Sequence, residues 1–347
     1  MKILYIGASN KSSTSRHRAD ALTRLGHDVK IADPYLHFKK HLTSKILSRV
    51  HYNTGYRLLN NKIKRWTNNL IEPKETIDIV WVDSGELLGP SSVQLLAQNG
   101  RKVILYNHDD PTGRRDGRRF DSLINSIPFY DLCVVVRHQN IAEFYEKGAS
   151  KVIKVWRSYD EIAHAPFKDK SGIDPNFFSD IAFIGTWMRH ESRDKFILQL
   201  INSGLNVKIW GSRWNKSPHW HQLKNHIAGG PLSGRDYVSA IQGSKVCLGM
   251  LSKGNRDLHT TRTMEIPYAG GVLCAERTSE HEELFEDGLE AVFWENVDEC
   301  IEKCKDLLKN DTWRESIRTS GMKKIRALKL GHEDICQSII QEIHTLQ

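Results

Sequence analysis

Asp257-Leu-His-Thr-Thr-Arg-Thr-Met-Glu-Ile-Pro-Tyr-Ala-Gly-Gly-Val-Leu-Cys-Ala275 is the stretch whose reading decides the fold. It opens with a polar, Thr-rich segment in which Thr260 and Thr261 can accept from free N–H groups at a helix start. Met264, Ile266 and Tyr268 supply the apolar face of a short amphipathic helix. Gly270 and Gly271 end it, where the backbone calls for positive φ, and Val272–Ala275 reads as a strand buried on both faces. Asp257 and Glu265 stand eight positions apart across the helix start, with Arg262 between them. Carboxylates bind sugar and ribose hydroxyls, and an arginine at a helix N-terminus favours phosphate. The stretch therefore suits a polyhydroxylated, anionic ligand.

Working backward, Ser179–Phe183 is strand-like and runs into Ile184-Gly185-Thr186-Trp187-Met188-Arg189. A helix over 192–203 and a strand over Val207–Trp210, closed by Gly211-Ser212, complete a β–Gly loop–α–β unit. Arg189, Arg193 and Lys195 bracket the helix start. Cations are unfavourable there, so a bound diphosphate accounts for them. Lys253 and Arg256 are further phosphate candidates. Downstream come a strand over 291–294 and helices over 297–308, 311–327 and 332–346.

The first half repeats the architecture. Lys2–Ile6 is a strand, Gly7-Ala8-Ser9-Asn10 a loop, 14–25 a helix and Val29–Ala32 a second strand. The unit is Rossmann-like but lacks G-x-G-x-x-G, which argues against a tightly held dinucleotide. Strands over 77–82, 102–106 and 130–136 follow. The strand at 102–106 ends in Asn107-His108-Asp109-Asp110-Pro111, which puts His108 and Asp109 at the ligand-facing end of a parallel strand. The irregular segment 156–174, with Pro166, Lys168, Asp169, Lys170, Ser171 and Gly172, reads as a linker. Domains are therefore expected over 1–165 and 175–330, with 331–347 a final helix able to cross back to the first.

The chain has 347 residues, a net charge of +8 and a pI near 9.1, and a basic balance suits anionic partners. From Pro34 through Ile71 there is no Asp or Glu, against Lys39, Lys40, Lys45, Arg49, Arg57, Lys62, Lys64 and Arg65. Leu42, Ile46 and Val50, then Leu59, Ile63, Trp66 and Leu70, recur at helical spacing. Three readings fit: a core-packing helix pair with a solvated basic face, an anionic membrane or lipid-phosphate surface, or a nucleic-acid groove. No zinc-finger or RNA-binding signature supports the last. No apolar run reaches 18 residues, and the six cysteines form no disulfide framework, so a reduced, cytoplasmic setting is expected. Neither Cys300/Cys304 nor His219-Trp220-His221 has metal-ligand spacing.

These segments resemble the GT-B glycosyltransferases, specifically the spore-maturation CgeB-like group. The likeness covers most of 100–343 and is clearest over 180–330, through Phe183-Ile184-Gly185, the Arg-bearing loop, Asp257…Glu265 and the Asp-rich turn with Pro111. It implies an α/β, GT-B architecture: two Rossmann-like domains facing an interdomain cleft. It also implies a probe-able activity, transfer of a sugar from a nucleotide-sugar donor, bound mainly by the second domain, to a glycan or lipid-linked acceptor. Retention of configuration and independence of metal or other cofactor are implied as well. By the same resemblance Arg193 is the phosphate residue, helped by Arg189 or Lys195. Glu265 binds the ribose, Asp257 takes the place of a Glu that faces the sugar, and His108-Asp109 contacts the sugar. Gly185, Thr186, Arg262, Gly270 and Gly271 complete the expected donor site. The rival readings are a nucleotide-sugar epimerase of the same fold and a non-enzymatic basic binding module with a decayed donor site.

Overall fold

The computed structural model describes residues 1–346. The chain divides into two compact units, Met1–Trp156 together with the segment from His332, and Arg157–Gly331. In the first, β1 (Lys2–Ile6), β2 (Asp28–Ala32), β3 (Ile79–Asp83), β4 (Lys102–Asn107), β5 (Leu132–Val135) and β6 (Val152–Lys154) form one parallel sheet, in the order β2-β1-β3-β4-β5-β6. Its inner strands are runs rich in Ile, Val and Leu because helices cover both faces. Trp81 stacks between Tyr5 and Tyr106 at the centre, with ring centroids 6.3 and 6.0 Å apart. The helix His332–Thr345 belongs to this unit: it packs on the helix Thr14–Arg24, buries Ile335, Ile339 and Ile343, and pairs Glu333 with Arg24.

The second unit repeats the plan with β7 (Ser179–Ile184), β8 (Val207–Trp210), β9 (Ile227–Gly229), β10 (Ser244–Gly249), β11 (Leu273–Glu276) and β12 (Val292–Trp294), ordered β12-β11-β10-β7-β8-β9 and again parallel. In each sheet the winding reverses once, between β1 and β3 and between β7 and β10. Open α/β sheets bind ligands outside the carboxyl ends of the strands at such a reversal. Close backbone approach fixes the loops there: a Cβ on Gly211 would lie 2.0 Å from the Gly185 carbonyl oxygen.

Two expectations are corrected. The expected linker over 156–174 holds only in part: 168–172 is exposed, but the segment just after Trp156 packs into the second unit. Ser158, Tyr159, Asp160 and His164 are buried in the second unit, and the Asp160 carboxylate accepts from the N–H groups of Ile162 and Ala163 at 3.0 and 2.7 Å. The basic stretch is not two helices. It is broken into Pro34–His37, Lys39–Thr43, Lys45–Asn53 and Asn60–Asn68. Ser44 caps one start, and Gly55 and Tyr56 turn through positive φ of 59° and 58°.

Candidate functional site

The reversal between β7 and β10 is tied by one side chain. Arg193 opens the helix Arg193–Asn202 and is 8% exposed. Its Nη1 donates to the Thr186 carbonyl at 3.0 Å and its Nη2 to the Leu251 carbonyl at 2.9 Å. Thr186 follows β7 and Leu251 follows β10, so the guanidinium spans the two strand ends where the winding reverses. The expected phosphate residue lies at the expected place, but two of its N–H groups are committed to main-chain carbonyls. The argument from cations at a helix start also changes. Asp194, buried beside Arg193, supplies the negative charge that the helix N-terminus favours. Burial works to raise its pKa, yet hydrogen bonds from Ser217 Oγ at 2.6 Å and Trp187 Nε1 at 2.9 Å hold the carboxyl below its ordinary value.

Arg189 and Lys195 are exposed around this point. His190 and Ser192 sit in left-handed conformations, φ 72° and 55°, a form of local strain that gathers at ligand loops. Between them Glu191 takes hydrogen bonds from Lys253 N–H at 3.0 Å, Ser252 Oγ at 3.2 Å and Gly254 N–H at 3.4 Å. The loop after β10 is thus an array of donors suited to an anionic oxygen. A cavity of about 360 Å³ opens there, lined by Glu191, Arg193, Lys195, Leu251, Lys253 and Trp294. Trp294 is 3% exposed, packs against Phe196 with ring centroids 4.6 Å apart and planes tilted by 37°, and its Nε1–H has no acceptor among the described residues.

The helix Thr261–Tyr268 places Glu265, and the loop leading into it places Asp257. Glu265 is buried and accepts from Tyr237 Oη at 2.6 Å. His164 Nδ1 accepts from the Asp160 N–H at 2.8 Å, which leaves the proton of the neutral ring on Nε2, 3.7 Å from Glu265 Oε1. Burial, then the neighbouring Glu265 charge, pushes the Tyr237 phenol well above its ordinary pKa. Asp257 is buried as well and pairs with Arg157 Nη2 at 3.2 Å. Arg262 is half-buried, and its Nε finds no acceptor. Gly270 and Gly271 are not brought to this site. They precede β11 and so sit at the amino edge of the sheet, whereas Gly185 and Thr186 follow β7 at its carboxyl edge. Gly270 has φ 81°, and a Cβ on Gly271 would meet Ile241 at 2.6 Å, so both serve the turn.

Two buried histidines lock the start of that helix. His259 Nε2 accepts from the Arg157 N–H at 3.1 Å, which puts its proton on Nδ1, 2.6 Å from Glu280. His281 Nδ1 donates to the Glu276 carbonyl at 2.6 Å, and its Nε2 accepts from Thr263 Oγ1 at 2.9 Å. Burial lowers the His281 pKa to about 4, so the ring is neutral. Thr263 Oγ1 in turn accepts from the Thr260 N–H at 3.0 Å.

In the first unit the Arg137 guanidinium donates to the carbonyls of His108 and Asp109 at 3.1 and 2.7 Å, which fixes that turn after β4. Asp109 accepts from Ser84 Oγ at 3.4 Å, and buried Asp110 accepts from Asn140 at 3.0 Å. The reversal between β1 and β3 carries a buried pair: Asp83 accepts from Arg18 Nε and Nη2 at 2.7 and 3.1 Å and from Tyr5 Oη at 2.7 Å. Burial opposes the charge, but Arg18 holds the Asp83 carboxyl below its ordinary pKa. The sequence reading ended the strand over 77–82 one residue short of Asp83 and gave that residue no role. It passed over Arg18, Glu191, His164 and Arg157, the last two because they fell in the expected linker. An acid closing an apolar strand was the one usable signal.

Among the described residues, one group of Cys, His, Asp or Glu ligands could hold a metal: Cys274, Cys300 and Cys304, with ligand atoms within 4.8 Å of one another. All three are buried in the hydrophobic core of the second unit.

Solved structures identify the architecture as that of GT-B glycosyltransferases. Sucrose-phosphate synthase from Thermosynechococcus elongatus is 11% identical with a TM-score of 0.71, covering 100% of this chain and 99% of its own. Anabaena HepE, solved with UDP-glucose, is 12% identical with a TM-score of 0.68, covering 99% and 100%. The α,α-trehalose 6-phosphate synthase from Burkholderia multivorans is 11% identical with a TM-score of 0.63, covering 100% and 98%. At such identities the likeness establishes the fold. Residues 189–332 match the family described as glycosyl transferase-like. No curated protein sequence matches the chain.

Proposed function

We propose that the chain is a glycosyltransferase that binds a nucleotide-sugar donor at the carboxyl edge of β7 and β10 and passes the sugar to a glycan or lipid-linked acceptor. The observation that carries this reading is a coincidence of position: the glycosyl transferase-like match begins at Arg189, in the loop after β7, and Lys195, a few residues on, lines one cavity at the winding reversal with Lys253, beside the N–H groups of Lys253 and Gly254. A departing diphosphate needs that charge, and the amides now held by the Glu191 carboxylate are placed to take up an anionic oxygen once Glu191 turns away. Arg193 holds the two loops in register. Glu265, set by Tyr237, takes the ribose hydroxyls, and Asp257, set by Arg157, orients the sugar. Trp294, which lines the cavity, has an unused indole N–H for the base. His108 and Asp109 are the residues to vary in the first unit. The reaction is retaining and uses no metal in this proposal, and the HepE complex with UDP-glucose makes uridine nucleotides the first to try.

The test is a thermal-shift screen against UDP, GDP, ADP, CMP, TDP and their common sugars, with and without a divalent cation. A ligand that binds only the native state raises the midpoint with the logarithm of its concentration. A rise with one nucleoside diphosphate and its sugar, undiminished by chelator, supports the proposal. No rise with any of them at millimolar concentration overturns it.

A further inference from the structure

The basic stretch does not bury the apolar residues that its periodicity marked. In the helix Lys45–Asn53 only His51 is buried. Ile46 is 76% exposed, Leu47 41% and Val50 39%, and Leu36 and Leu58 nearby are each 63% exposed. These are five of the nine large hydrophobic residues exposed among the described residues, gathered within the stretch that lacks every acidic residue. At 100° per residue Ile46, Val50 and Leu47 share an arc of about 100° on the outer side of the helix, with Arg49 and Lys45 along one edge. Lys39, Lys40, Lys45 and Arg49 are all exposed, and none forms an ion pair among the described residues. Arg57 differs, being paired with Asp121.

We propose that the Lys45–Asn53 helix docks on an anionic lipid bilayer, with Ile46, Leu47 and Val50 seated at the acyl boundary and Lys39, Lys40, Lys45 and Arg49 at the headgroups. Aliphatic side chains next to unpaired cations match both layers of such an interface. A nucleic-acid groove would use the cations but leaves the aliphatic arc in water. No helix among the described residues is long and apolar enough to cross a membrane, so the contact is peripheral. The inner side of the same helix, through Ser48, Arg49 and Tyr52, lines a cavity of about 390 Å³ with Tyr35, Tyr56 and Glu86. A polar headgroup held by the bilayer would meet that cavity beside the docked helix. The docking stands independently of the donor chemistry.

The experiment is co-sedimentation of the full chain with vesicles of phosphatidylcholine alone and with about a third phosphatidylglycerol. Binding is expected only with the anionic vesicles, and it weakens with salt. Each cation near the surface contributes about fivefold, so Lys45→Gln with Arg49→Gln should weaken binding roughly 25-fold. Ile46→Ser with Val50→Ser should weaken it at least about tenfold at unchanged net charge. Both variants alter exposed side chains, and an unchanged melting midpoint verifies that they fold. Equal binding to neutral vesicles, or an apolar variant that binds like the parent, overturns the proposal. Tight binding of a single-stranded oligonucleotide that displaces the vesicles and ignores the apolar substitutions also overturns it, in favour of nucleic acid.

Discussion

Replacing Arg193 with alanine should cost stability before it costs chemistry. The side chain is 8% exposed and donates to two carbonyls, at 3.0 and 2.9 Å, on loops that follow different strands. Hydrogen bonds to a charged group contribute about 1.5–3 kcal/mol each, and the orphaned carbonyls regain water only in part. A loss of roughly 3 kcal/mol follows, equal to about a hundredfold change in the folded-to-unfolded ratio. For a unit of this size it corresponds to a fall in Tm of roughly 9 °C. Arg193→Lys keeps the charge but has no planar fork to reach both carbonyls, so it should recover less than half of the loss. The assay is thermal unfolding of parent and both variants without ligand. Parent-like melting of Arg193→Ala together with lost nucleotide binding would refute the reasoning, and would return Arg193 to direct phosphate contact.

The remaining predictions concern the groups around it. His281 has a folded pKa of about 4 against an ordinary 6.5, so the unfolded chain binds the extra proton between those values. Its contribution to stability is complete above pH 6.5 and is lost as the pH falls toward 4, by up to roughly 3 kcal/mol; urea midpoints at pH 7 and pH 4.5 measure it, and His281→Gln should flatten the dependence. Arg18→Ala leaves the Asp83 carboxylate buried without its guanidinium and should destabilise the first unit by about 3–5 kcal/mol, read by urea denaturation. Glu265→Gln should weaken nucleoside diphosphate binding about tenfold in calorimetry while melting within a few degrees of the parent, since a Gln side chain can still accept from Tyr237. Gly211→Ala drives a Cβ toward the Gly185 carbonyl, 2.0 Å away in the ideal position, and should lower the melting midpoint more than Gly204→Ala, where nothing lies within 4 Å.

The fold was legible where local pattern and tertiary role agree. The central strands β1, β3, β7 and β10 are apolar runs closed by Gly or Asp, and a parallel sheet covered on both faces demands such runs. The helix Asp311–Ala327 has the bounds expected of it. β9 was not, because Ile227-Ala228-Gly229 is too short and too plain to show a period. Misreadings arose where a partner lies far along the chain. Arg157 looked like linker, yet it meets Asp257 across 100 positions. Arg193 was expected to serve a phosphate, yet one of the carbonyls it holds comes from Leu251, 58 positions on. The spacing of Leu42, Ile46 and Val50 admitted a core face, and periodicity alone does not tell a face turned to the core from one turned outward.

The central claim is that the donor binds the second unit at the reversal between β7 and β10. Hydrogen–deuterium exchange of the full chain, with and without the nucleotide sugar that gives the largest thermal shift, tests it most directly. The account predicts protection concentrated in 185–195 and 249–265, where Arg189, Lys195, the Lys253–Gly254 amides and Glu265 stand. Protection confined to the first unit, or none in either segment under saturating ligand, would contradict it.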